Sequence, residues 1–413
     1  MKLLKEKLLL FSPFIVCLVV LIFSLTLIPS VHPPPQHLPI AIVNEDQGAD
    51  MPNQGNINAG AAIVRNIKDV QKANHDGTSA VKWVEIKNEK TAREGLNDRK
   101  YYAALLIPKD FSRKQASLQT PNPSGAKMTV LVNQGANPIA ANAAGQIVNQ
   151  GANPIAANAA GQIVNQVVDH INHQFREEIM TGFEKQGKTL TVKQAAALSS
   201  PVAKTVEQVN ETGEHSANGN APVSLVQPLW IASIAGALIV YTALRKWRFS
   251  NGRAALLSRF LQGLTGAVLA VAAGYSLVWI AADWVGISIP QIHDTALFIA
   301  ICYFSFYLMI TAVTSWIGFP GAGLFGLLFF FGTPLLTMAP EMMPAFYRGW
   351  FYSWLPMRFA SDGLRDLLFF NKGLSMNQPV SVLLSIGAVS FLVLLASSLK
   401  NHAVSKEAGI KML

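Results

Sequence analysis

The chain has 413 residues, 51% of them apolar and 14% charged, with a formal net charge of +9. It is too apolar for a soluble chain of this length and too polar for membrane helices alone, so the two kinds of structure must coexist. Its bases do not gather on a soluble face, which argues against nucleic acid as a partner; they stand at the ends of apolar runs, where they orient a chain across a bilayer.

Lys2, Lys5 and Lys7 precede the first run, Leu8–Val31. A helix rising 1.5 Å per residue needs about 17–25 apolar residues to cross roughly 30 Å of hydrocarbon. The run is longer than the core of a signal peptide, and Leu27-Ile28-Pro29-Ser30-Val31 lacks a small-x-small cleavage pattern. Residues 1–31 therefore read as a cytoplasmic tail and an uncleaved first transmembrane helix, with a cleaved signal as the alternative.

A Pro-rich tether, Val31–Pro39, leads into residues 32–222, where the pattern changes. Leu38–Val43 predicts a strand ending in the turn Asn44–Gly48, Ile57–Ala73 a helix, Val81–Ile86 a strand and Lys90–Lys100 a charged helix. Tyr101–Ile107 predicts a strand stopped by Pro108, Phe111–Leu118 a short helix and Met128–Val132 a strand. Strands alternating with helices predict a compact α/β lobe of about four strands.

Asn133–Val148 then recurs letter for letter as Asn149–Val164, a shift of 16 residues. One unbroken helix would turn the two copies about 160° apart. Each copy also carries its own start signal, Asn137-Pro138 and Asn153-Pro154. Two helices with a break at Gln150–Asn153 are expected. A tandem duplication tolerated at a surface hairpin is the plain account, and a binding ladder of Asn and Gln the other. The second helix should run to about Phe183, a polar, Ala-rich stretch should return toward the membrane by Val209, and Glu211–Ala221 is a linker.

Gly182–Thr189 matches G-x-x-x-x-G-K-[ST], but a phosphate-cradling loop needs a buried strand before it, and here an amphipathic helix precedes. No apolar strand ending in Asp follows, and the predicted side of the membrane has no ATP. The match is read as chance, so no ATPase site, catalytic residue, cofactor or metal is expected. Asn210-Glu211-Thr212 is only a three-letter glycosylation match. His170 and His173 lie three apart on one helix without a carboxylate or cysteine partner and read as a solvated face.

Residues 223–399 hold five more spanning-length runs: Val223–Leu244, Ala255–Ala282, Thr295–Ile317, Gly321–Met338 and Pro379–Leu399. Arg245, Lys246, Arg248 and Arg253 follow the first of these, and Lys400, Lys406 and Lys411 the last. Positive-inside bias then places both termini and the basic loop in the cytoplasm and residues 32–222 outside, with a cytoplasmic tail at 400–413. Cys17 and Cys302 fall inside spans, so the lobe has no disulfide. The fold expected is a polytopic α-helical membrane protein of six transmembrane helices, with an extracytoplasmic α/β domain inserted between the first and second.

Arg259, Asp283 and Lys400 sit near span ends and no Asp, Glu, Lys or Arg lies deeper, which disfavours proton- or sodium-driven transport. Small residues at Gly266, Ala270 and Gly274, and at Gly318, Ala322 and Gly326, suit close helix contact, within one chain or between two copies. The outer segment Pro340–Gln378 is rich in aromatics, among them Trp350 and Trp354. It continues with Arg358, Asp362, Arg365 and Asp366 against Leu364, Leu367, Leu368 and Phe369. An amphipathic helix lying in or dipping into the outer leaflet is predicted, as a structural plug or as a gate over an outward exit.

One span, a large outer domain and then five spans with a re-entrant outer segment resembles the ABC-2-type permease fold, and specifically the YhgE/Pip (phage-infection-protein-like) and DUF3533 membrane proteins. The words that carry the likeness are Leu38 through Gly48 (LPIAIVNEDQG), Tyr102 through Ser112 (YAALLIPKDFS), Asn220-Ala221-Pro222 leading to Leu229-Trp230, and Leu355-Pro356 with Gly363-Leu364-Arg365. The resemblance implies a permease subunit of an exporter in a bacterial cell membrane. It would work as a homodimer with a separate ATP-binding subunit docked on Arg245, Lys246, Arg248 and Arg253, moving a hydrophobic or amphipathic substrate outward. The alternative is a non-transporting surface receptor or secretion-system scaffold whose helices only anchor it.

Overall fold

The computed structural model describes residues 37–51, 55–73, 81–120, 122–137, 139, 140, 201–213, 215–245 and 252–410, with short pieces between 173 and 199. The chain divides into two units. One, here the α/β unit, comprises residues 33–211 and 339–343; the other, the helical unit, comprises the rest.

In the α/β unit, β1 (Leu38–Asn44) is buried on both faces, as a strand with parallel neighbours on each side must be. A short hairpin, β2 (Ala49–Met51) and β3 (Gly55–Ile57), leads to α1 (Ala59–Ala73), β4 (Val81–Ile86), α2 (Glu89–Asn97), β5 (Ala103–Ile107), α3 (Phe111–Ser117) and β6 (Ala126–Asn133). After a long excursion come α4 (Val192–Ser199) and β7 (Val202–Val209). The main sheet has the order β4-β1-β5-β6-β7, with β1 parallel to β4 and β5, β6 antiparallel to β5, and β7 parallel to β6. The connections β1-α1-β4 and β4-α2-β5 run in opposite directions along the sheet, so right-handed crossovers put α1 and α2 on opposite faces. Ala41, Val43, Ala104, Leu106 and Leu131 pack with Ala92 and Leu96 of α2, while the alternate residues Ile40, Ile42, Leu105 and Ile107 are buried on the other face.

The sheet has five strands rather than about four, because the stretch ending at Val209 forms β7 instead of returning as an irregular segment. As an edge strand β7 needs few apolar residues. Val202, Val206 and Val209 lie three or four apart, so the alternation that betrays a strand is missing. The β6 to β7 crossover contains the duplicated segment. Asn137 caps the start of the first copy, its Oδ1 accepting from the amides of Ile139 and Ala140 at 3.0 Å. The predicted break at Gln150–Asn153 and the second copy lie outside the described residues, and so does most of Gly182–Thr189.

Arg93 of α2 clamps β7 through a two-pronged pair, Nη1 to Glu207 Oε1 at 2.8 Å and Nη2 to Oε2 at 3.0 Å. The Arg93 hydrogen bond holds the Glu207 carboxyl below its ordinary value of 4.5. A depressed carboxyl stabilises the fold above its unfolded pKa and loses that contribution as pH falls through the folded one. Glu207→Gln should therefore lower stability most near neutral pH, and the difference from the parent should shrink as pH drops below about 4.5. Denaturant melts of the two proteins across that range check it.

The helical unit contains α5 (Ala221–Arg245), α6 (Gly252–Trp279) with a wide π turn at Ile280–Trp284, α7 (Ile292–Ile317) and α8 (Pro320–Thr337). These are followed by α9 (Pro356–Phe369) and α10 (Gln378–Ile410). Five of these helices are long and apolar enough to cross a membrane, α5, α6, α7, α8 and α10, so the unit is that of a polytopic membrane protein. The sixth run, Leu8–Val31, lies outside the described residues. α7 is the centre: 67% of its span is buried, against 28% for α6, and it packs on α5, α6, α8, α9 and α10. α6 sits flush on it because Gly266 receives the Tyr307 ring and Gly274 receives the Ala296 carbonyl oxygen and Ala300. The first of the two small-residue stripes is thus spent on packing within the chain. In the second, Ala322 is buried, while Gly318 ends α7 at φ 81° and Gly326 faces open space.

Trp230 of α5 is wholly buried, edge-on to Phe306 of α7 at 4.7 Å, and its indole N–H donates to the Phe325 carbonyl of α8 at 3.1 Å. One side chain thus ties three helices while satisfying its polar atom.

Candidate functional site

Between α8 and α10 the chain makes a 3-10 turn at Pro340–Met342, a helical stretch at Ala345–Tyr347 that runs into a π turn at Arg348–Tyr352, and then α9. Prolines punctuate it, at Pro340, Pro344 and Pro356, where a missing N–H costs nothing at a helix start. The turn collects an aromatic cluster, with Phe331 to Phe351 at 4.6 Å and Phe346 to Phe351 at 5.5 Å. Trp350 and Trp354 are 72% and 51% exposed, which suits indoles at a membrane interface.

α9 is not a helix with one face left to lipid. It is buried over most of its surface against α5, α7, α8 and α10, and Gly363 is pressed so closely on the Phe298 ring of α7 that no side chain would fit. Its charged residues therefore turn inside the helical unit. Arg358 pairs with Asp362 at 3.5 Å and lies over the Tyr352 ring at 4.6 Å. Arg365 and Asp366 are 5% and 6% exposed, and Asp366 is 3.7 Å from Lys372. The four charged residues picked from the sequence come together on one buried helix, while the two tryptophans stand apart on the surface. α9 thereby brings ionisable side chains into an apolar bundle. Such a seat suits either a polar guest or a part that moves.

At the opposite end of the sequence-predicted map, Arg245 closes α5 and Arg253, exposed, opens α6. Lys246 and Arg248 fall outside the described residues. Among the described residues no three His, Cys, Asp or Glu side chains gather to hold a metal.

In the α/β unit, two of the sequence words that carried the resemblance meet in space. Asp46, in the turn after β1, accepts at Oδ1 from the amides of Gly48 at 3.2 Å and Ser112 at 3.0 Å. Its Oδ2 accepts from the Gly60 amide at 2.9 Å and from the Ser112 hydroxyl. The Ser112 Oγ in turn accepts from the Ala59 amide at 2.7 Å. The start of α1 is an anion site by geometry, and the chain fills it with its own carboxylate.

The model of ABC-2 family transporter proteins matches residues 7–396. The chain belongs to that family. Comparison with curated proteins and with solved structures gives no match. Membership makes this a membrane component of a transporter and, as is usual for ABC-2 permeases, implies an ATP-binding partner. The five helices long and apolar enough to cross a membrane, α7 with the other four packed on it, are consistent with such a component.

Sequence reasoning reached Trp350, Trp354 and the charges of α9, but not their division between surface and interior. It quoted Asp46 and Ser112 as letters in two words without pairing them. The signal available was a turn acid followed, 66 residues on, by Ser at the start of a helix, and nothing local joins the two.

Proposed function

We propose that this ABC-2 family member is the permease subunit of an exporter of the YhgE/Pip and DUF3533 kind. It works as a homodimer powered by a separate ATPase and moves a hydrophobic or amphipathic substrate outward. In this reading the chain crosses the bacterial cell membrane six times with both termini cytoplasmic, residues 32–222 form the extracytoplasmic α/β domain, and there is no ATPase site of its own. The observation that carries it is the match of the transporter family across residues 7–396, supported by the five apolar helices. Arg245, Lys246, Arg248 and Arg253 form the loop on which the ATPase docks, and α9 with Trp350 and Trp354 is the outer gate.

Reversing the charges of Arg245, Lys246 and Arg248 together is expected to abolish co-purification with the ATPase and any export phenotype, while leaving membrane insertion unchanged. Affinity capture from membranes, with export measured in the same strains, checks it. Unchanged capture and export would instead favour a surface receptor or secretion scaffold with no engine attached.

A further inference from the structure

The α/β unit is built from two stretches far apart in sequence. Besides residues 33–211 it takes in 339–343, although Met338 before them and Pro344 after them belong to the helical unit. Among the five, Ala339, Met342 and Met343 are buried, and Glu341 accepts at Oε2 a hydrogen bond from the Tyr102 hydroxyl at 2.7 Å. A hydroxyl donating to a carboxylate at that distance is a bond of the stronger kind. Tyr102 is itself buried, and its backbone is fixed on both sides. Its amide donates to the Pro39 carbonyl of β1 at 3.1 Å, and its carbonyl accepts from the Asn133 amide of β6 at 2.9 Å. Glu341 is thus anchored at the start of the central strand of the sheet.

The five-residue segment is stiff. Pro340 and Pro344 restrict the backbone near either end, and the amides of Met342 and Met343 donate to the carbonyls of Ala339 and Pro340 at 2.9 and 3.2 Å. Within the helical unit, the chain that leaves and the chain that returns pack on each other. The Phe331 ring of α8 is 4.6 Å from that of Phe351, and Gly332 of α8 is closely approached by Leu355 and Met357 at the start of α9. A pull on residues 339–343 therefore reaches the end of α8 and the start of α9 through few intervening residues. We propose that residues 339–343 are a strap through which the α/β unit controls the start of α9, latched by the Tyr102–Glu341 hydrogen bond. Tyr102 is a positioning residue in this device, acting on α9 through Glu341. The strap stands on this geometry alone, whereas an effect on export rests on the reading of α9 as the outer gate.

Hydrogen exchange of the full-length chain in detergent tests the strap, with export measured in the same variants. Tyr102→Phe, which removes the hydroxyl and keeps the ring, and Glu341→Ala should each speed exchange in peptides covering Ala345–Met357 about tenfold, while β5 exchanges as in the parent. Glu341→Gln, whose carboxamide oxygen still accepts, should fall between. The double variant should add little to either single one, because both remove the same bond. Lys68→Met, which breaks an exposed ion pair with Glu85 elsewhere in the α/β unit, should change neither region. Parent-like exchange over Ala345–Met357 in Tyr102→Phe and Glu341→Ala, effects that add in the double variant, or equal loosening of β5 would overturn the strap. Faster exchange over Ala345–Met357 with export unchanged would keep the strap and remove α9 as the gate.

Discussion

Asp46→Ala is expected to lose about 3 kcal/mol or more of the α/β unit's stability, a large share of the ~5–15 kcal/mol that a domain has. The carboxylate is 8% exposed and accepts from four donors on three segments, the turn at Gly48, the start of α1 and the start of α3. Its removal leaves the Gly60 and Ser112 amides without their partner in a buried place. Asp46→Asn keeps the shape but exchanges an acceptor for a donor, so it should be destabilising too, though less. Hydrogen exchange on the full-length chain reads the result directly. The Gly60 and Ser112 amides should lose protection in both variants, and those of the central strand β5 should follow in Asp46→Ala.

Gly274→Val is the second large effect. A Cβ at Gly274 would meet the Ala296 carbonyl oxygen, which is backbone and cannot swing aside, and would come within 3.1 Å of the Ala300 amide nitrogen. α6 must then move off α7, the helix on which the whole unit is built. Overpacking of this kind costs about 1–3 kcal/mol when side chains can yield, and the backbone contact puts this site at or above the top of that range. Gly323→Val is the control, since nothing lies within 4 Å of its Cβ position. Melting of the two purified variants should show a large loss for Gly274→Val and almost none for Gly323→Val.

The spanning helices were legible because length and apolar content decide them, and α5, α6, α7, α8 and α10 each begin within three residues of their predicted starts. β1, β4 and β5 were legible as short apolar runs with turn signals at their ends. The position of α9 was not, because an amphipathic pattern says that one face is apolar without saying what the polar face meets. Here that face meets other helices, and the sequence records this only through Gly363, which has to admit Phe298. β7 was missed because its partner β6 lies about 70 residues back across the duplicated segment, and long-range pairing leaves little local trace.

The central claim is that this chain moves a substrate with an engine supplied by another subunit. ATP hydrolysis by the purified full-length protein in liposomes, alone and together with the ATP-binding subunit captured with it, tests that most directly. The account predicts no hydrolysis by the chain alone and hydrolysis by the pair that falls when Arg245, Lys246 and Arg248 are reversed in charge. Hydrolysis by the chain alone would contradict it.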